Sequence, residues 1–472
     1  MTTIVNNNVA GIHPKVWQMM TPAPAASAAG SFVIAGDSTN LSNETLFMQA
    51  TNVHYLYHYD EDSWVQIPAS ALTVGAGACG ARSRWSATLT ASGGTATTIT
   101  TTAAITGNIK DGCTVRMLSG SRINEERTVV GAPIINPGGT STITVTPAFS
   151  GAIVNTDTFA VDCGSFFVVA SGTQNTTGGG TFRRFDMATL TWNASVLSVT
   201  GFIASTVTDA RMVSTQGMET IVSFNATAGA STTVTKASAA WTTNQFANYQ
   251  IKITSGTGIG QIRTIASNTG TVITVSAAWT VNPDATSVCA IQGNDDFLYV
   301  TGNGTTALYR YSISGNAWTT LAVRPGAAST GVTANWIDHA EDAGWAVENN
   351  IKDGRFIFSL RGGGSTALDR YDIALNTWAS ITYGALAETF TTGTSTASNR
   401  RYIYIRKDAT NRFFKYSVRG NYLEPLSANL YPDGAAALGN KTWLKRHDDT
   451  SGVAYLYSLQ NTGTVLQRLQ VF

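Results

Sequence analysis

The sequence predicts an all-β protein: a six-bladed β-propeller closed by its N- and C-terminal strands, carrying two homologous inserted modules of β-sandwich or barrel type. Three observations predict it. Helical periodicity is nearly absent, while short β-branched and aromatic runs recur between turn residues. One strand–turn–strand pattern returns six times along the chain. Two long stretches interrupt that pattern, and they resemble each other.

The six copies align on an aromatic strand followed by a tryptophan. The clearest are Phe297–Val300 with Ala307–Ile313 and Trp318, and Arg355–Phe358 with Ala367–Ile373 and Trp378. Others are His54–Asp60 with Trp64, Phe166–Val169 with Thr181–Met187 and Trp192, and Tyr402–Ile405 with Arg412–Val418 and Tyr422, which falls where tryptophan is expected. The last copy, Tyr455–Ser458 with Val465–Val471, runs to the end of the sequence without such a strand. Lys15–Pro22 around Trp17 resembles Ser63–Pro68 around Trp64 and supplies the missing piece. Pairing the terminal strands in one blade seals a ring and removes two exposed edges. The intervals Trp64–Trp192 and Trp192–Trp318 are each too long by about 75 residues, and the rest approach the roughly 40–50-residue period of propeller blades.

The excess stretches match piece by piece. Cys113–Gly120, Arg127 and Thr142–Phe149 in one answer to Gln250–Gly256, Arg263 and Val272–Trp279 in the other. Each interrupts a blade between its first and second strands, so a module and its host blade read as duplicated together. The chain then divides into propeller (1–85: closing strand, blade 1 and the start of blade 2), inserted module A (86–162), propeller (163–217), inserted module B (218–291) and propeller (292–472).

The repeat resembles the kelch type of β-propeller. The resemblance lies in Tyr-Asp or Tyr-Ser followed some six residues later by Trp, as in Tyr371-Asp372 to Trp378 and Tyr311-Ser312 to Trp318, with a glycine doublet at Gly362-Gly363.

Composition narrows the function. Charged residues make up 12% of the chain and the formal net charge is +1. No clustered basic excess marks a duplex-binding protein and no polybasic tract marks a membrane surface. No run reaches the about 18 apolar residues of a membrane span, and Met1–Asn8 lacks the pattern of a secretory signal. Cys79, Cys113, Cys163 and Cys289 are scattered, without metal-ligand spacing, and read as free thiols in small core positions. A Cys113–Cys163 bridge is compatible with their place in one module.

No enzyme, cofactor or metal is expected. The five histidines, His13, His54, His58, His339 and His447, show no ligand spacing. Asp338-His339-Ala340-Glu341-Asp342 is the best polar candidate for acid–base work and reads as a solvated inter-strand loop. The acidic Tyr59–Asp62 reads as a blade turn rather than a calcium site. Gly256–Gly260 suggests a phosphate loop, but Gln261–Ile265 continues as a strand, so it reads as a glycine turn. Trp241 and Trp279 are candidates for stacking on sugars if exposed.

One regularity remains. His58, Arg184, Arg310, Arg370, Lys415 and Arg468 precede an aromatic or leucine in all six repeats. On the third strand they lie away from a propeller's axis, so the expectation is structural: the stem packs along the blade and the head pairs with a neighbouring blade. The aromatic partners Tyr59, Phe185, Tyr311, Tyr371 and Tyr416 are expected in the core.

A low-charge propeller rich in Thr, Ser and Gly with paired inserts resembles the tail-nozzle proteins of short-tailed bacteriophages. That resemblance implies a non-catalytic virion component of tail or neck, assembled in the host cytoplasm. It implies a homo-oligomeric ring, contact with other tail or neck proteins, and transient passage of DNA without sequence-specific binding. The alternatives are a receptor- or glycan-binding fibre module and, more remotely, a propeller-type carbohydrate-active enzyme.

Overall fold

The computed structural model describes residues 17–25, 32–34, 44–48, 52–70, 74, 78–136, 139–169, 182–193, 197, 211–214, 222–301, 306–326, 336–340, 356–360, 366–382, 388–390, 395–398, 402–407, 412–418, 420–426, 441–446, 454–459 and 463–471. The chain is all-β. Among the described residues the strands form six four-stranded antiparallel sheets, one closed six-stranded barrel and one seven-stranded sheet.

The four-stranded sheets follow one another along the chain. The first holds Phe32–Ile34, Glu44–Met48, His54–His58 and Ser63–Gln66. The second holds Cys79–Ser83, Ser165–Val169, Phe182–Asp186 and Thr191–Trp192. The third holds Arg211–Ser214, Phe297–Thr301, Leu308–Ser312 and Ala317–Thr320. The fourth holds Trp336–Ala340, Phe356–Leu360, Leu368–Asp372 and Thr377–Ile381. The fifth holds Ser395–Ser398, Tyr402–Arg406, Phe413–Ser417 and Tyr422–Leu426. The sixth holds Lys441–Arg446, Ala454–Leu459 and Leu466–Gln470, and its fourth strand is Trp17–Met19, paired as Trp17 with Leu469 and Met19 with Gln467.

Burial explains the sequence of each strand. Second strands such as Ser165–Val169, Phe297–Thr301 and Phe356–Leu360 are buried throughout, because both faces are covered. They therefore lack the one-sided alternation of a half-exposed strand. Fourth strands such as Ala317–Thr320 are largely exposed, and there polar residues return. The apolar cores lie between successive sheets. Met48, Leu56 and Phe185 join the first and second; Phe182, Tyr311 and Trp318 the second and third; Tyr299 and Tyr371 the third and fourth. Phe358 and Tyr416 join the fourth and fifth, Trp17 and Phe413 the fifth and sixth, and Tyr57 and Tyr457 the sixth and first. The first strands likewise neighbour one another in chain order, and Lys441–Arg446 returns to Phe32–Ile34.

The two remaining units leave their host sheets between first and second strands. The barrel comprises Leu89–Gly94, Thr98–Thr101, Thr114–Met117, Glu126–Val129, Ser141–Thr146 and Thr158–Val161. The seven-stranded sheet comprises Val222–Asn225, Ala228–Ala230, Thr233–Thr235, Gln250–Ser255, Ile262–Asn268, Val272–Val275 and Val288–Gln292. Its strand order is that of the barrel, with the first strand in two pieces. In the barrel Leu89–Gly94 changes partner at Ala91, whose N–H donates to Asp157 O; in the second unit the change falls at Ala226, whose N–H donates to Ser287 O.

Candidate functional site

A cluster of buried ionic side chains lies where the two inserted units touch. Arg116 lies on the third barrel strand and Lys252 on the corresponding strand of the second unit: their cross-strand partners are Ala160 and Ala290 on one side, Glu126 and Ile262 on the other. These equivalent cations converge on one carboxylate. Arg116 Nε donates to Glu126 Oε1 at 2.8 Å, and Lys252 Nζ donates to Glu126 Oε2. The Arg116 guanidinium also reaches Asp295, in the connection back to the third sheet, with Nη2 at 2.9 Å and Nη1 at 3.3 Å. Trp85, in the connection out of the second sheet, donates its indole N–H to Asp295, and its ring lies 4.1 Å beneath the Arg116 guanidinium.

Electrostatics follows from this geometry. For Glu126 burial disfavours the charged form, but Arg116 and then Lys252 outweigh it and hold the carboxyl below its ordinary range. Burial acts the same way on Asp295, and Arg116 outweighs it. Gly260 completes the contact. Its φ of 88° is left-handed, and a Cβ there would lie 3.1 Å from Glu125 Cα and 3.3 Å from Glu126 N. The Gly256–Gly260 stretch is thus a turn that lets the second unit approach the barrel backbone, followed by the strand Ile262–Asn268.

The paired units share further detail. Arg127 Nε donates to Ala148 O and its head lies over Phe149; Arg263 Nε donates to Ala278 O and its head lies over Trp279. Trp279 is 5% exposed, and Trp241 packs against Phe224 and Phe246. The Trp279 ring is therefore closed to a sugar, while Trp241 is partly buried at the edge of the module core.

A second polar device recurs between the sheets. Tyr57, Tyr311, Tyr371 and Tyr416 each donate a hydroxyl hydrogen bond to a residue five positions later: Asp62 at 2.6 Å, Asn316 at 2.7 Å, Asn376 at 2.8 Å and Asn421 at 3.0 Å. All four acceptors adopt left-handed φ, between 43° and 51° at three of them and 53° at Asn376, which aspartate and asparagine tolerate best among side-chain-bearing residues. The same turn grips the connection arriving from the preceding sheet. Asp62 accepts from Thr21 N while Trp64 donates to Thr21 O; Asn376 accepts from Ala322 N while Trp378 donates to Ala322 O. Asn421 donates to Thr382 O, and Trp192 donates to Pro68 O. The second sheet has Phe185 for tyrosine and Leu190 for Asx: hydroxyl and acceptor are replaced together.

The sequence-derived positions distribute as follows. Trp64, Trp192, Trp318 and Trp378 lie opposite Tyr57, Phe185, Tyr311 and Tyr371, and Trp17 lies opposite Leu469. Tyr422 does not take the tryptophan place. Leu423 lies opposite Tyr416 and is 7% exposed, while Tyr422 is 43% exposed, since a shift of one residue turns a strand side chain to the other face. His58 does not belong with the cations either. Tyr57, not Tyr59, pairs with the tryptophan, so Leu56 stands where Arg310 stands in the third sheet.

The five true cations lie on third strands and stack within their own sheets, and Arg310 also donates to Asn248 Oδ1 of the second inserted unit at 2.8 Å. Arg310, Arg370, Lys415 and Arg468 cover Phe297, Phe356, Tyr402 and Tyr455 at 4.1, 4.4, 4.6 and 4.5 Å, each an aromatic diagonal to the cation on the second strand. In the second sheet the diagonal residue is Ser165, and Arg184 sits over the directly opposite Phe167 at 5.8 Å. Lys415 adds an ion pair with Glu424 at 2.6 Å, again within its own sheet. Stacking of this kind contributes roughly 0.5–2 kcal/mol.

Asp338 and His339 fall in the strand Trp336–Ala340 rather than a loop; Glu341, Asp342 and the Gly362-Gly363 doublet lie outside the described residues. Asp62, read only as part of an acidic turn, is the acceptor of the first clamp. A small pocket between the fourth and fifth sheets is lined by apolar side chains such as Phe358, Leu368 and Ile405, plus Thr396 and Tyr416. Among the described residues no group of three or more His, Cys, Asp or Glu is arranged to hold a metal ion. No described helix is long and apolar enough to cross a membrane.

No family model matches the chain, and no curated protein does. Among solved structures, a chain in the "Crystal Structure of Mitotic Checkpoint Complex" aligns over 100% of this chain and 99% of its own length, at 8% identity and a TM-score of 0.37. A likeness of that degree carries no argument about fold family or function.

Proposed function

We propose that the six four-stranded sheets are the blades of a kelch-like six-bladed propeller with two duplicated barrel modules, and that the chain is a non-catalytic structural component of a bacteriophage virion. In this reading it is a tail nozzle, hub or neck protein. Copies assemble into a homo-oligomeric ring, contact other tail or neck proteins, and leave a passage for DNA that reads no sequence.

Support for the propeller comes from the six inter-sheet cores that follow chain order and return from the sixth sheet to the first. The observation that carries the functional reading is how the buried polar groups are used. Arg116, Glu126, Lys252 and Asp295 join module to module and module to sheet, and the Tyr–Asx–Trp turns join sheet to sheet. Such side chains make a rigid block. The buried position of Trp279 weighs against its stacking on a glycan.

Proteomics and electron microscopy of purified particles test the assignment. The expected result is the chain in stoichiometric amount at a ring of tail or neck. A soluble monomer absent from purified particles overturns it.

A further inference from the structure

We propose that Cys113 and Cys163 form a latent cross-strand dithiol in the barrel, which a glutathione-type disulfide converts to an intramodule bond. The argument begins with register. Thr114–Met117 pairs antiparallel with Thr158–Val161, with Val161 opposite Val115, and Asp162 N continues the ladder by donating to Thr114 O at 3.0 Å. Beyond this point Thr114 N turns to the Asp162 side chain at 2.6 Å, and one more step along the same register would set Cys163, in the turn that follows the strand, across from Cys113; Cys113 Sγ now lies 4.0 Å from Asn108 O and Cys163 Sγ 3.9 Å from Val161 O.

Continued in that register, the pair would be of the non-hydrogen-bonded kind. Cys113 N donates to Lys110 O, Cys113 O accepts from Val129 N, and Cys163 O accepts from Arg82, so these groups are engaged away from the facing residue. Facing residues of that kind have Cα atoms about 4.5 Å apart. That falls inside the roughly 4.4–6.8 Å range that a disulfide spans.

Side-chain direction agrees. Alternation puts Cys113 on the face of Val115 and Met117, and Cys163 on that of Val161 and Phe159, all turned toward the barrel core. Both thiols are free. Cys113 is half-buried and accepts a hydrogen bond from Lys110 N at 3.2 Å, whereas Cys163 is 7% exposed. Register in the duplicated unit places Tyr249 and Gly293 at the matching positions, so the dithiol belongs to one copy alone.

The chemistry balances with the oxidant named. The Cys113 thiolate attacks oxidised glutathione, expelling one glutathione thiolate and leaving a mixed disulfide. The Cys163 thiolate then attacks Cys113 Sγ and expels the second. The two cysteine protons end on two glutathione thiols, and the protein loses two electrons. The bond ties the start of the third barrel strand to the point where the chain re-enters the second sheet.

Burial raises both thiols above their ordinary range, Cys163 the more, so the test exposes the full chain to excess oxidised glutathione for an extended time at about pH 9, where more thiolate forms. Acid quenching, alkylation and non-reducing digestion with mass spectrometry follow. The expected product is a Cys113–Cys163 linked peptide, with Cys79 and Cys289 alkylated once the chain is denatured. The denaturant midpoint should rise on oxidation and return with dithiothreitol. Cys163→Ser should trap a glutathione adduct on Cys113. Persistence of that adduct in the wild-type chain, linkage to Cys79 or Cys289, or two unreacted thiols after full exposure to oxidant overturns the proposal. The wild-type result decides the matter even if a variant fails to fold.

Discussion

Arg116 holds two buried carboxylates, and its removal leaves both without their main counter-charge. Breaking one partner from a buried ionic group costs about 3–5 kcal/mol, more than the pair itself contributes. Arg116→Met should lower unfolding free energy by about that amount in a denaturant titration. A loss under about 1 kcal/mol would mean water reaches Glu126 and Asp295. His54 makes a separate pH-dependent contribution. It is fully buried, its Nε2 lies 2.7 Å from Ser70 Oγ, and burial lowers its pKa from 6.5 to about 4. The unfolded chain takes up a proton below pH 6.5, whereas the folded one resists until about 4. Stability should therefore fall as pH drops through that window, by roughly 3 kcal/mol in all and about 2 kcal/mol of it by pH 5, and His54→Gln should flatten the slope above pH 5, before carboxylates contribute. An unchanged slope in the variant would refute the assignment. Residue-level reading of the sequence went astray nearby for a physical reason. Tyr55, Tyr57 and Tyr59 alternate in phase, so pattern alone allows either pairing, and Asp62 five residues after Tyr57 decides it.

The Tyr–Asx hairpin makes that decision in four sheets, with tryptophan opposite the tyrosine in three of them, and it was only half legible. The aromatic and the tryptophan stand out because large residues recur at a fixed interval. The Asx between them did not, because aspartate and asparagine are common in any turn. In the fifth sheet Asn421 follows Tyr416 by five, and that spacing would have selected Leu423 over the more conspicuous Tyr422. Asn376→Ala tests the element: it removes an acceptor for Tyr371 Oη–H and Ala322 N–H, and places alanine at a φ of 53°. Loss of two hydrogen bonds with left-handed strain should cost about 2–4 kcal/mol by chemical denaturation. Asn376→Gly, which removes only the acceptor, should cost less; equal costs would show that strain plays no part. The closing strand is a second such element. Trp17 pairs with Leu469 and packs on Phe413 at 5.1 Å. Deleting residues 1–20 strips the outer edge of the sixth sheet and uncovers that core. The melting temperature of the entire chain should fall by several degrees as one transition. A second, separate transition would show that the sixth sheet unfolds alone.

The junction between the inserted units was illegible in the sequence because Arg116, Glu126, Lys252 and Asp295 are brought together only by folding. The duplication itself was legible, since each copy keeps its own local pattern of Arg over an aromatic. Internal welding bears on how copies of the chain would meet. Charged residues are 12% of the sequence, the net charge is +1, and several of the strongest ion pairs are already spent inside the chain. A ring contact of the proposed kind, burying more than about 1,000 Å² in total, would then draw on backbone groups, threonine and asparagine side chains and small apolar patches. Exposed aliphatics such as Ile134 at 63% and Val323 at 64% are available for those patches. Contacts of that composition are little affected by counter-ions, because screening acts on exposed charge pairs. Sedimentation of the assembled ring should therefore change by less than about twofold in dissociation constant between roughly 0.1 and 0.5 M salt. A steep loss of assembly with salt would place ion pairs at the contact and reject this account of the ring.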